Sequence, residues 1–211
     1  MLDENVIKLR IKEIAYDYAD KLSMQFQQRS LEMKNDDSSH SLIYQVLGVK
    51  SHVGHLIDEY QNMGRFLYQY AGKFLEDATK LCFQYAFPES RSYKIPNTSG
   101  NHPQTFEIDC LCGRNAIEIK WRDATTDGDH VAKERMRIQA IKDAGLIPIR
   151  IMFYYPNRGQ ARNIQQGLQK DYLELGGEYY CGDEAWEYVK LQTTIDLKSI
   201  LEEIAKERQN G

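Results

Sequence analysis

Residues 106–123 read FEIDCLCGRNAIEIKWRD, and the pattern of this stretch decides the fold. Apolar and polar side chains alternate on both sides of Gly113-Arg114, the period of two expected when successive side chains point to opposite faces of a sheet. Phe106, Ile108 and Cys110 fall on one face and Glu107, Asp109 and Leu111 on the other. Glycine at the first central position suits a two-residue type II′ turn, so the two runs predict a hairpin. Pairing Cys112 with Asn115 and counting outward sets Asp109 opposite Glu118 and Glu107 opposite Lys120.

Directly opposed side chains on neighbouring strands have Cβ atoms about 4.5–5.5 Å apart, and like charges placed there destabilise the pair unless something compensates. A divalent cation is the natural compensator, because Mg²⁺ takes hard oxygen ligands, often one or two carboxylates with water and phosphate completing the shell. Lys120 lies two residues beyond Glu118 on the same face, where an ammonium can orient a water and stabilise charge developing on phosphate. A Glu-x-Lys pattern alone is commonly a surface ion pair worth under about 1 kcal/mol. What favours a site is Asp109 on the opposing strand, the interleaved Ile108, Ile117 and Ile119, and a capped helix beyond.

Working outward, the pattern upstream is helical. Val6, Leu9, Ile14, Tyr18, Leu22 and Phe26 recur at intervals of three to five over the first 35 or so residues. The run Asn35-Asp36-Asp37-Ser38-Ser39 then favours turns and caps. A short helix is predicted from Ser41 to Val46, and one long helix or two in succession from Val53 to Phe87, stopped by Pro88. Residues 88–103 read as a loop. Downstream of the hairpin, Asp127-Gly128-Asp129 offers capping chemistry before HVAKERMRIQAIKDAG, with Val131, Met136, Ile138 and Ile141 as a core stripe. LIPIRIMFYY reads as a buried strand, residues 160–175 as a helix, GGEYYCGDE as loop or short strand, and residues 194–208 as a final helix. The fold class is therefore α/β, a central mixed sheet flanked by helices with an N-terminal helical region. Residues 1–87 form that helical region and 88–211 the sheet-bearing core and C-terminal helices, together one compact domain.

At 211 residues, 42% hydrophobic and 27% charged, the chain can bury one substantial core. It holds no apolar run long enough to span a bilayer and starts with the charged MLDENVIKLRIKEI, so a cytoplasmic location without membrane association is expected. Cys82, Cys110, Cys112 and Cys181 lack zinc-ligand spacing and read as free thiols. The net charge of −4 hides an asymmetry: residues 114–170 carry 11 Lys/Arg against 6 Asp/Glu, whereas residues 171–211 carry 4 against 10. A nucleic-acid surface needs local positive charge rather than a basic whole.

FEIDCLCGRNAIEIKWRD resembles the D…ExK core of the PD-(D/E)xK nucleases, in which a helix precedes strands bearing the Asp and the (D/E)xK, followed by a helix and a further strand. The longer segment 100–156, including IEIKWRDATTDGDH and IRIMFYYPNR, resembles the ApaLI-like type II restriction endonucleases. The resemblance implies a restriction-endonuclease-like fold and Mg²⁺-dependent hydrolysis of double-stranded DNA at a short palindrome, GTGCAC for that family. It implies Asp109 and Glu118 as catalytic metal ligands and Lys120 as the water-activating lysine. An acidic ligand from the preceding helix is matched best by Glu76, with Glu59 second. Ile108 stands where the superfamily name has proline.

Several residues leaving the catalytic strand, Arg122, Thr125, Thr126, Asp127, Asp129, His130 and Lys133, are candidates for phosphate or base contacts, since such side chains match base-edge donors and acceptors. Arg135, Arg137, Arg150, Arg158 and Arg162 are weaker candidates, for which a solvated face is an equal expectation. A homodimer is expected, because a two-fold dimer is the simplest way to cut both strands of a symmetric site. A companion methyltransferase would protect the host's own sites. Two rival readings are a repair or junction-resolving nuclease of the same superfamily and a non-catalytic DNA-binding protein with Glu118 and Lys120 merely paired.

Overall fold

The structure, a computed structural model, describes residues 4–98, 100, 102–122 and 128–210. Three helices open the chain: α1 (Glu4–Lys34), α2 (Ser41–Val46) and α3 (Ser51–Ala86). Strands β1 (Arg91–Pro96), β2 (Thr105–Cys112) and β3 (Asn115–Arg122) follow, then α4 (Gly128–Asp143), β4 (Ile147–Tyr154), α5 (Gly159–Glu174), β5 (Glu178–Cys181), α6 (Asp183–Thr193) and α7 (Leu197–Asn210). The five strands form one sheet in sequence order, antiparallel from β1 to β3 and parallel from β3 to β5. This is the mixed α/β sheet with flanking helices and an N-terminal helical region that the patterning predicts.

By contacts the chain divides into two compact units, one of Met1–Ile11 with Leu75–Gly211 and one of Lys12–Phe74. In the first, alternation assigns the helices to faces. Glu118 and Lys120 of β3 stand beside Arg150 and Met152 of β4 on one face, which α4 and α5 cover. Ile149, Ile151 and Phe153 project to the other, where Phe153 packs on Trp186 of α6 at a ring separation of 4.2 Å. Both faces of the parallel half are thus covered, and β4 is buried from Pro148 to Phe153, as expected for strands with helices on either side.

The hairpin register is as predicted from Cys112↔Asn115 to Cys110↔Ile117, and Gly113 takes the positive φ of 57° that the turn requires. The strict two-face alternation predicted along β2 is not kept. Between Leu111 and Ile108 the register against β1 shifts, because three residues of β2 span two of β1. Such a bulge re-aims the side chains beyond it. Phe106 and Ile108 consequently join Leu111 and Ala116 in a cluster with Ala140 and Ile141 of α4, although counting by twos separates them from Leu111.

Two further elements differ from the sequence reading. The stretch taken as a loop holds β1, an edge strand with one buried residue, Ile95, and no alternation to betray it. Helix α6 lies between the predicted loop or short strand and the final helix, and it ends on Thr194, whose positive φ of 64° stops the helix before α7. The 51–86 segment is one continuous helix, and 178–181 is a short strand.

In the second unit α1 and α3 meet through side chains. Tyr18 contacts the Tyr70 ring at 6.1 Å, Arg29 lies 5.3 Å from the Phe66 ring, and the Ser30 hydroxyl donates to Glu59 at 3.3 Å. Tyr44 of α2 donates to Asp58 at 2.7 Å, where His40 also pairs at 3.0 Å. No described helix is long and apolar enough to cross a membrane.

Candidate active site

The β2 bulge fixes where the first carboxylate points. The Ser92 hydroxyl donates to the Asp109 carbonyl at 3.0 Å, so that backbone oxygen has a side-chain partner. Beyond Cys110↔Ile117 the next link between β2 and β3 runs through a side chain, with the Ile119 N–H donating to the Asp109 carboxylate at 2.8 Å. The carboxylate is therefore drawn in between the two strands at the point where β3 presents Glu118 and Lys120.

Lys120 Nζ lies 3.9 Å from Asp109 Oδ2 and pairs with Glu118 Oε1. Asp109 and Glu118 are largely or wholly buried, with side-chain exposures of 15% and 3%, whereas Lys120 keeps 34%. One ammonium thus bridges two inward-facing carboxylates from the more open side. Burial, the Glu118 charge and Glu76 push the Asp109 carboxyl up to about 7, against the pull of Lys120 and the Ile119 N–H. For Lys120, burial alone would favour the neutral amine, but Glu118 and Asp109 outweigh it and hold its pKa above the ordinary value.

Glu76 reaches this site electrostatically from α3, where it also accepts from Lys80 at 2.5 Å. Glu59, the second choice, belongs to the other unit, where it accepts from Ser30. Among the described residues no three His, Cys, Asp or Glu side chains converge as a ready-made metal cage. The donor set still fits a hard cation: two carboxylate-bearing residues side by side, one held at an unusually high pKa by burial and its neighbour's charge, match the few protein ligands that Mg²⁺ takes.

Behind the site lies a charge network that the sequence reading did not find. Arg137 of α4 donates to Glu118 Oε1, the oxygen that Lys120 also meets, and to Glu134 at 2.8 Å. Glu134 in turn accepts from Arg150 and from the Tyr172 hydroxyl, each at 2.8 Å. Burial would raise the Glu134 pKa, but Arg150, Arg137 and Lys120 hold it down to about 2. For Arg137 and Arg150, burial is likewise outweighed by their carboxylate partners, so both stay charged. The available signal was Arg150 itself. A charge in the middle of the apolar run IPIRIMF demands a buried counterion, and the helix covering that face had to supply one.

Arg150 is thus buried rather than a surface DNA contact, and Arg137 is engaged with Glu118 and Glu134. Arg135 is exposed and pairs with Asp171 at 2.6 Å. Lys133 is exposed on α4, and Arg158 and Arg162 are exposed near the start of α5. Arg122 lies 5.6 Å from the Trp121 ring and lines an open groove with Tyr154, Tyr155, Asn157 and Arg158 at the ends of β3 and β4. Thr125, Thr126 and Asp127 lie outside the described residues, as do the side chains of Asp129 and His130.

No curated protein and no solved structure matches the chain. A family model does, that of the ApaLI-like restriction endonucleases, over residues 2–206. With nearly the whole length covered, the protein belongs to the ApaLI-like restriction endonuclease family and is a nuclease that binds DNA.

Proposed function

We propose that the protein is a Mg²⁺-dependent type II restriction endonuclease that hydrolyses both strands of a short palindrome, GTGCAC being the family's expected target. The observation that carries the reading is the convergence of Asp109, Glu118 and Lys120 at the point where β2 and β3 are linked through the Asp109 carboxylate. Asp109 and Glu118 would hold the cation, with Glu76 within electrostatic reach. When bound, Mg²⁺ draws electron density from the phosphate oxygens and offsets the charge that grows as water attacks. The charge of the cation would offset the like-charge crowding of the two carboxylates and so favour the ionised Asp109. Lys120, the most exposed of the three, orients the attacking water and faces the phosphoryl oxygen where charge accumulates. Arg137 acts through Glu118, fixing its carboxylate from behind, and is a positioning residue. Among the DNA-facing candidates, Arg122 and Lys133 stand on described surface, and Thr126, Asp129 and His130 complete the set.

A homodimer presenting one site to each strand accounts for a symmetric double cut. The protein would act in the cytoplasm beside a methyltransferase of the same specificity. The test is incubation of purified protein with unmethylated phage DNA, with Mg²⁺ or with EDTA. Discrete fragments appearing only with Mg²⁺, with ends mapping to one palindrome, are expected. Intact DNA under both conditions, or fragments without a common end sequence, would overturn the reading.

A further inference from the structure

The Arg137 guanidinium does not hold Glu118 in the way that makes such pairs strongest, two nitrogens against two oxygens. Its Nη1 alone donates, to Glu118 Oε1 and, at 2.8 Å, to Glu134 Oε2. Its Nε is buried and finds no partner among the described residues. Glu118 is used just as unevenly. Lys120 and Arg137 both meet Oε1, and among the described residues nothing donates to Oε2. A buried donor left unmatched costs free energy, so an arginine that forgoes a second bond beside a carboxylate with an oxygen to spare needs a cause.

Glu134 supplies that cause. It stands three residues before Arg137 on α4, the spacing that makes two helical side chains neighbours. It is itself fixed from two other elements, its Oε1 accepting from Arg150 Nη1 of β4 and from the Tyr172 hydroxyl of α5, each at 2.8 Å. At 8% exposure it has little room to follow Arg137 towards Glu118. Neutralising Arg150 occupies only one Glu134 oxygen. The bond from the other oxygen to Arg137 is what the Arg150 pair leaves unexplained, since Arg137 already has a counterion in Glu118.

We infer that Glu134 is a positioning residue that holds Arg137 off Glu118 Oε2 and so keeps that oxygen for the divalent cation. Arg150 and Tyr172 serve the same end by fixing Glu134. Without the restraint, Arg137 closes on both oxygens of Glu118 and competes with the cation for the carboxylate. With it, Arg137 steadies Glu118 through Oε1 alone, as a partner behind a metal ligand should. The inference rests on the proposed cation at Asp109 and Glu118 and adds what keeps Glu118 available to it.

Calorimetry of Mg²⁺ binding to the DNA-free full chain tests it, at a temperature where circular dichroism shows each variant folded. Glu134→Gln keeps the size of the side chain but loses the charge that restrains Arg137. It should bind Mg²⁺ about tenfold more weakly or worse, the scale on which partners of metal ligands act. In an Arg137→Met background the same change should cost no more than about twofold, because no guanidinium is left to restrain. The Mg²⁺ concentration for half-maximal cleavage should shift by the same factors, with KM for DNA unchanged. If Glu134→Gln does not fold, Tyr172→Phe, which loosens Glu134 without removing its charge, should weaken Mg²⁺ binding severalfold and again lose its effect beside Arg137→Met. Wild-type Mg²⁺ affinity in the folded variant would overturn the inference. So would a tenfold loss that persists with Arg137→Met, since Glu134 would then act by its charge alone. A wild type that neither takes up Mg²⁺ nor cuts DNA would sink the nuclease reading first and this inference with it.

Discussion

Residues 75–211 and residues 12–74 spend their apolar side chains in opposite ways. In the former, Ile108, Ile117, Ile141, Ile149 and Ile151 are each at most 1% exposed, and charged groups that share this interior are matched one against another. In the latter, tyrosine, leucine and isoleucine face water while polar residues such as Asp58, Glu59 and Ser30 join the helices. A buried charge network needs a rigid apolar surround to hold its geometry, so chemistry belongs with the first region. Residues 12–74 bury no apolar side chain and offer no such surround.

The largest effect that could break this division is catalytic. Asp109→Asn and Lys120→Ala should each lower the Mg²⁺-dependent cleavage rate by about 10³-fold, the loss expected when several kcal/mol of transition-state stabilisation disappear. DNA binding and circular dichroism should be kept. Full activity in Lys120→Ala would remove the site from the hairpin.

Next in size is stability. Arg150 and Glu134 form an ion pair with side chains only 7% and 10% exposed, and removing one partner strands the other's charge. Arg150→Ala should cost about 3–5 kcal/mol in urea unfolding at fixed protein concentration. The paired change Arg150→Met with Glu134→Gln should recover much of that loss, because neither charge is then left alone. A double variant as unstable as the single one would mean that packing around the guanidinium, not its charge, matters.

The hairpin was legible because a turn glycine and two alternating strands constrain each other, and the α4 stripe because Ile138 and Ile141 keep helical spacing on a buried face. Extending the hairpin register set Asp109 opposite Glu118 and Glu107 opposite Lys120, but the β2–β3 pairing stops at Cys110↔Ile117 and Asp109 reaches β3 through its carboxylate instead. The bulge at Asp109 was not legible, because an extra residue in β2 is defined only by its pairing with β1, itself a strand with a single buried residue. Glu134 was missed because its role depends on an arginine 16 residues away, across the gap between a helix and a strand. The outer face of α3 was read as helical amphipathicity without direction, because spacing shows that an apolar stripe exists and not which neighbour covers it.

A smaller effect concerns pH. Without metal, the Asp109 carboxyl titrates near 7 in the folded protein but near 4 when unfolded, so the folded state holds a proton that the unfolded chain has lost in between. Its contribution to stability is present below the unfolded value and lost as pH rises through about 7. A Mg²⁺ ion held by Asp109, as proposed, would have to displace that proton, so apparent Mg²⁺ affinity should fall about tenfold for each unit below pH 7, measured by calorimetry on the DNA-free protein. Asp109→Asn should flatten both the metal-free stability profile and the affinity slope. An affinity independent of pH between 5 and 7 would show that the cation does not meet Asp109.

The smallest expected effect lies in the helical unit and sharpens the contrast from its other side. Lys21 pairs with Asp17 one turn away on α1, with side chains 56% and 54% exposed. In water such a pair is screened and must restrain two mobile side chains, so it adds little to folding. Lys21→Ala should leave the thermal midpoint unchanged at fixed protein concentration, and raising the salt should not separate variant from wild type. A fall in midpoint approaching that of Arg150→Ala would mean that surface ion pairs carry the stability of residues 12–74.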